Sequence, residues 1–192
     1  MVKLDKIYTR AGDSGRTRLA TGEMVDKWST RVEAYGAVDE TNCMVGVARL
    51  STVEDTILDP MLSRIQNDLF DLGADLATPE RGEKLKFEAL RILPSQVERL
   101  EREIDQLNAD LEPLTSFVLP AGTPLATALH VSRTTCRRAE RLIAKLTQEE
   151  PGAVSAAALQ YANRLSDLFF VAARWANGRG KGDVLWVPGK NR

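Results

Sequence analysis

The amino-acid sequence predicts an all-α protein: a five-helix bundle preceded by a long N-terminal loop and followed by a short C-terminal tail. Two observations carry that prediction. Apolar residues recur at alternating steps of three and four along five separate segments, the pattern of helices that each bury one face. Residues 1–27 and 179–192 lack that period. A chain of 192 residues most often forms one domain. The expected division is an arm over 1–27, a bundle over 28–178 and a tail over 179–192.

The opening segment combines glycines, hydroxyls and charges of both signs. A first helix is expected near 30–51, where Tyr35, Val38, Asn42 and Val45 follow helical spacing. The second stripe is stronger and runs Leu58, Leu62, Ile65, Leu69, Leu72 and Leu76. The third runs Leu93, Val97, Leu100, Ile104, Leu107 and Leu111. A fourth begins after Thr123-Pro124, which reads as an N-cap and first-turn proline, and takes in Leu125, Leu129, Cys136, Ala139, Ile143 and Leu146. Pro151-Gly152 separates it from a fifth stripe, Tyr161 to Trp175, which Gly178, Gly180 and Gly182 bring to an end. Helices of roughly 20–27 residues are expected, each about 30–40 Å long. No internal repeat, low-complexity tract or strand–helix alternation accompanies them.

A formal net charge of -1 gives no global attraction to nucleic acid or anionic membrane, so any basic site must be a local patch. No apolar stretch approaches the length of a membrane span. The N-terminus has charges but no apolar core of a secretory signal. Cys43 and Cys136 form no CxxC pair, so both are expected to be small core residues of a reduced, cytoplasmic protein. No metal site is expected, because a bundle di-metal centre needs Glu-x-x-His pairs and none occurs. His130 is expected to be a partly buried bundle residue, and the three tryptophans to be packing anchors.

Two features exceed what a bundle needs. The opening reads "YTRAGDSGRTRLATGE"; glycines 12 and 15 free backbone amides to turn towards a ligand, hydroxyls and arginines surround them, and such nests suit phosphate. Neither GxxxxGK[ST] nor GxGxxG is present. The second feature is "HVSRTTCRRAERL" at 130–142. On a helical wheel with Arg133 at zero, Arg137 falls at about 40°, Arg141 at about 80° and Glu140 at about −20°, while Arg138 points away near 140°. The arginines outnumber the one acid on that face. Arginine also grips phosphate or carboxylate with two parallel bonds, which lysine cannot do. The plain alternative is a solvated face of (i, i+3) and (i, i+4) pairs.

Four stretches in order, "YTRAGDSGRT", "RVEAYGAVDETN", "FVLPAGTPLATALHVSRTTCRRAERL" and "NRLSDLFFVAARWAN", resemble the PduO-type ATP:corrinoid adenosyltransferases. The resemblance implies a trimer of five-helix bundles with ATP, Mg²⁺ and cobalamin at the seam between subunits. It implies transfer of the adenosyl group of ATP to reduced cobalt, with release of triphosphate. The N-terminal loop becomes a nucleotide-binding loop, its contacts matching Thr9, Arg10, Gly12, Asp13, Gly15, Thr17 and Arg18, with Lys27 further on. Arg137, Arg138, Glu140, Arg141 and Asn163 match the family's other nucleotide contacts. Arg133 resembles an arginine that pairs across the subunit boundary with an aspartate, here Asp39, and Phe117 matches the aromatic beside the corrinoid. Arg133, Arg137, Phe117 and Asp39 are therefore the residues expected to carry the reaction.

Three positions depart from the family pattern: Ala11 stands where a second threonine is usual, Met24 where "GERV" has arginine, and Ala121 where "LPGGT" has glycine. A backbone amide survives each change, so retuned ATP binding is expected. Co(I) is nucleophilic enough to need no general base, so the expected task is orientation and stabilisation of departing triphosphate. Electrons are expected from a separate reductase, and an adenosylcobalamin-dependent enzyme is a possible recipient. A non-catalytic nucleotide or corrinoid carrier or sensor would use the same residues, and an arginine face for a protein partner is the third reading.

Overall fold

A computed structural model describes residues 7–82 and 85–192. Five helices follow a small hairpin: β1 (Arg16–Arg18), β2 (Met24–Asp26), α1 (Thr30–Arg49), α2 (Leu58–Leu76), α3 (Pro94–Asn108), α4 (Pro124–Glu149) and α5 (Ala156–Ala176). α4 is the centre of the bundle, with α1 along one side and α5 along the other; α2 packs on α1 and α3 on α5. The expected stripes supply the core, from Leu62, Ile65 and Leu72 of α2 to Leu129, Ile143 and Leu146 of α4 and Tyr161 and Phe169 of α5. Among the described residues no helix is long and apolar enough to cross a membrane.

The helix starts follow local chemistry. Thr123 accepts the Ala126 N–H at 3.1 Å with Pro124 in the first turn, and Ser155 accepts the Ala158 N–H at 3.2 Å, each satisfying an otherwise orphaned amide. α3 is shorter than expected, at 15 residues. Leu93 lies before it as an exposed cap residue whose N–H is held by Gln96 Oε1 at 2.8 Å, and Leu111 lies beyond its end. The arm also carries structure that its sequence did not announce: β1 and β2 pair antiparallel, Arg16 opposite Asp26 and Arg18 opposite Met24.

Buried polar groups lock the ends of the bundle. Asp75 of α2 accepts from the Ile92 N–H at 2.9 Å, Arg91 Nη1 at 2.7 Å and Ser155 Oγ at 3.1 Å. Arg31, 2 % exposed, ties α1 to Glu150 at 2.9 Å and to the Leu76 carbonyl. Tyr161 donates to Asp68 Oδ2 at 3.0 Å in the core. Unpaired, such groups would each cost about 1–3 kcal/mol.

Candidate active site

The arm is held on α1 and on the C-terminal end of α2. The Ala20 N–H bonds the Ala77 carbonyl at 3.1 Å and Thr17 bonds the Tyr35 hydroxyl, while within the arm the Lys27 N–H bonds the Gly15 carbonyl at 2.9 Å. Lys27 arches over Gly12 so closely that a Cβ there would lie 2.9 Å from Nζ. That places a cation on a glycine turn, as a phosphate nest requires. Thr9 Oγ1 accepts from the Ala11 N–H at 3.4 Å, Arg10 lies over the Tyr8 ring, and Asp13 closes a turn onto the Arg10 carbonyl at 3.3 Å. Arg16 and Arg18 each use a guanidinium N–H on hairpin carbonyls, of Met24 at 2.9 Å and Gly22 at 2.8 Å.

The arginine run divides among three neighbours instead of forming one face. Arg138 pairs with Glu40 of α1. Arg138 and Arg141 line a groove between α1 and α4, of about 540 Å³, with Glu33 and Gly36 on its other wall. Arg137 lies 3.9 Å from Glu140, and Glu140 accepts from Asn163 Nδ2 of α5 at 2.7 Å. Arg133 lines a different cavity, about 490 Å³, with Phe117 and Phe170. The helical wheel placed Arg138 correctly apart from Arg133, but it could not say that Arg141 shares Arg138's groove, because α1 occupies that sector. Glu40 escaped sequence reasoning although it follows Asp39 within "RVEAYGAVDETN"; the sequence does not say which acid of α1 faces α4 until the two helices are docked.

Phe117 is 76 % exposed and projects into its cavity with Trp186 tilted beside it, ring centroids 6.0 Å apart. Behind this wall His130 is fully buried against Phe170, with neither ring nitrogen hydrogen-bonded among the described residues. Burial, followed by the charge of Arg133, pushes its pKa below the ordinary histidine value against an opposing pull from Asp183. Arg133 Nε is likewise buried without a partner. Burial and the like charge of Arg137 lower the Arg133 pKa; an anionic partner is what such a group lacks.

Asp39 is exposed and belongs to a groove of about 430 Å³ lined by Asn42, Cys43, Gln66 and Phe70, separate from the Arg133 cavity. Within one chain the two do not pair. Cys43 is exposed, not core, whereas Cys136 is buried with its thiol against the Ala162 carbonyl. Trp28 is largely exposed and Trp186 about half exposed, so neither is a core anchor of the single chain. Among the described residues no hydrogen bond or ion pair joins residues 9–18 to the arginines of α4.

Comparison with known proteins closes the question of kinship. A family model described as cobalamin adenosyltransferase matches residues 7–176. The chain belongs to that family. A corrinoid adenosyltransferase of Mycobacterium tuberculosis (strain CDC 1551 / Oshkosh) is 48% identical over 191 residues, covering 100% of this chain and 97% of the relative. A corrinoid adenosyltransferase of Bacillus subtilis (strain 168) is 43% identical, covering 93% and 91%. A variant PduO-type ATP:corrinoid adenosyltransferase from Lactobacillus reuteri, complexed with cobalamin and ATP, superposes with a TM-score of 0.82 at 42% identity over 94% of this chain and 99% of its own.

Proposed function

We infer that the chain is a corrinoid adenosyltransferase: it moves the 5′-deoxyadenosyl group of ATP to Co(I) of cobalamin, releasing triphosphate and making adenosylcobalamin. The observation that carries this reading is a cavity walled by Phe117 and Phe170 that Arg133 also lines, at the start of the arginine run along α4. The cavity suits a large, flat, partly apolar ligand; the arginines suit the charge that accumulates on a departing triphosphate.

The protein's contribution is geometric and electrostatic. No general base is needed, and the one histidine is buried and held towards its neutral form. Arg137, oriented by Glu140, which Asn163 holds in turn, is proposed to contact the phosphates, with Arg138 and Arg141 in the adjoining groove. The arm residues Thr9, Arg10, Ala11, Gly12, Asp13, Gly15, Thr17, Arg18 and Lys27 are proposed to cover the triphosphate. Mg²⁺ is proposed to enter with the substrate, as its ATP complex.

Among the described residues no hydrogen bond or ion pair joins the arm to the arginines of α4, and Arg133 Nε has no partner while Asp39 is exposed. Both halves of that observation support a homotrimer in which Asp39 of one subunit pairs with Arg133 of the next, joining arm and helix across the seam. A separate reductase is proposed to supply Co(I) and an adenosylcobalamin-dependent enzyme to receive the product. Two unpaired cysteines, one of them exposed, support a reducing compartment, the cytoplasm.

The test is anaerobic incubation with ATP and chemically reduced cobalamin, following the corrinoid spectrum and triphosphate together. Stoichiometric adenosylcobalamin and triphosphate are expected. Binding of both ligands with no cobalt–carbon bond formed would instead make the protein a carrier, and failure to bind ATP would leave the arginine face to a protein partner.

A further inference from the structure

We propose that Asp183 is a positioning residue for the corrinoid side of the site, its buried carboxylate clamping both ends of the loop that carries Phe117. The inference rests on the reading of Phe117 as the residue facing the corrinoid.

The loop runs from the end of α3 to the cap of α4, and residues 112–123 contain no helix to stiffen it. Its two ends are held from α5. Arg174 Nη2 donates to the Glu112 carbonyl at 2.9 Å. Asn177 accepts the Thr123 N–H at 2.9 Å and donates to the Ala121 carbonyl at 3.1 Å. Arg174 and Asn177 are oriented in turn by one group: Asp183 Oδ2 accepts from Arg174 Nε at 2.8 Å and Oδ1 accepts from Asn177 Nδ2 at 3.3 Å. The ion pair is almost dry, its side chains 7% and 3% exposed, so it is little screened by solvent and strongly directional.

The chain beyond Asp183 then lies along the loop it anchors. Leu119 donates to the Val184 carbonyl at 2.8 Å, and Trp186 donates to the Phe117 carbonyl at 2.8 Å. Ser116 Oγ donates to the Trp186 carbonyl at 2.7 Å. Gly122 lets the loop close against this clamp: its φ is +119°, and any Cβ there would lie 2.1 Å from Asn177 Oδ1. One carboxylate thus sets the ends of the loop through Arg174 and Asn177, and its middle through the tail. Misplacing an aromatic wall by about 1 Å at a site that works by orientation costs up to roughly a hundredfold in rate.

The experiment compares Asp183→Asn, Trp186→Pro and Phe117→Ala with the unaltered full-length enzyme, using Co(II) cobalamin with a reductant and, separately, pre-reduced Co(I). Trp186 is about half exposed, so its replacement removes the N–H that holds Phe117 and leaves the ion pair in place even if Asp183→Asn folds poorly. For Asp183→Asn and Trp186→Pro, kcat from Co(II) is expected to fall about ten- to a hundredfold, with the KM for ATP within about twofold and a smaller loss from Co(I). Co(II) that has lost an axial donor is easier to reduce, and an aromatic wall that excludes water would favour that form. Electron paramagnetic resonance of the ATP-loaded enzyme should therefore show less four-coordinate Co(II) in both. Unchanged kcat and unchanged coordination in both variants, while Phe117→Ala loses both, would overturn the clamp alone. A parallel loss of ATP binding and melting temperature, with coordination unaltered, would also overturn it, leaving a purely structural ion pair. If Phe117→Ala itself behaves as the unaltered enzyme, the underlying reading of Phe117 fails.

Discussion

Replacing Phe117 with alanine separates stability from activity, and the structure sets the scale of each. The ring is 76 % exposed, so roughly a quarter of a side chain of about 200 Å² is covered, near 50 Å². At about 25 cal/mol per Å² that area contributes about 1.2 kcal/mol. Loss of the tilted contact with Trp186 at 6.0 Å adds at most about 1 kcal/mol. The total, about 2 kcal/mol, lowers Tm by roughly 4–8 °C in a chain of this size. Turnover from Co(II) should fall far more, by tenfold or greater, if the exposed ring faces the corrinoid as proposed. The assay pairs calorimetry with steady-state kinetics in ATP and in Co(II) cobalamin. ATP affinity is expected to stay within about twofold. A variant whose turnover is retained, or whose loss lies entirely in the KM for ATP, would refute the placement of Phe117 beside the corrinoid.

Asn163→Ala frees Glu140 by removing its 2.7 Å bond; the expected result is a rise of several-fold in the KM for ATP, about 1 kcal/mol, read from initial rates, with little change in Tm. Tyr161→Phe removes the buried hydroxyl that donates to Asp68, and urea unfolding should show a loss of about 1–2 kcal/mol. Burial and then the charge of Arg133 lower the pKa of His130 in the fold against an opposing pull from Asp183. The unfolded chain therefore binds its proton first, and stability present above about pH 6.5 is lost as pH falls towards the lower folded value. His130→Phe should flatten that part of the Tm–pH curve, by no more than about 1.4 kcal/mol per pH unit; an unchanged slope would show that the proton is not excluded.

The bundle was legible because α2, α4 and α5 write their burial directly as steps of three and four: Leu62, Ile65, Leu69 and Leu72 are all in the core. Thr123-Pro124 marked a helix start to the residue. The third stripe overran its helix because Leu93 and Leu111 keep the period while doing other work, as a cap and as a residue beyond the end. Three-residue strands are too short to show alternation, so the hairpin was hidden. The chemistry was legible as residue types but not as neighbours. A helical wheel records angles, whereas the partner in each sector depends on docking: α1 brings Glu40 to Arg138, and α5 brings Asn163 to Glu140. Asp183 gave no signal at all, since a lone acid in a glycine-rich tail reads as solvated until Arg174 is seen beside it.

The claim on which the account depends is that the arm of one copy covers the arginines of another. Two inactive variants test it when co-expressed as mixed trimers: Gly15→Val, which distorts the arm at a φ of +80°, and Arg137→Ala. If arm and helix meet across the seam, random mixing joins an intact arm to an intact helix at about one site in four. Adenosylcobalamin formation should then recover to about a quarter of the unaltered rate. Mixed trimers no more active than either variant alone would contradict it, since a site contained within one chain cannot be restored by exchange.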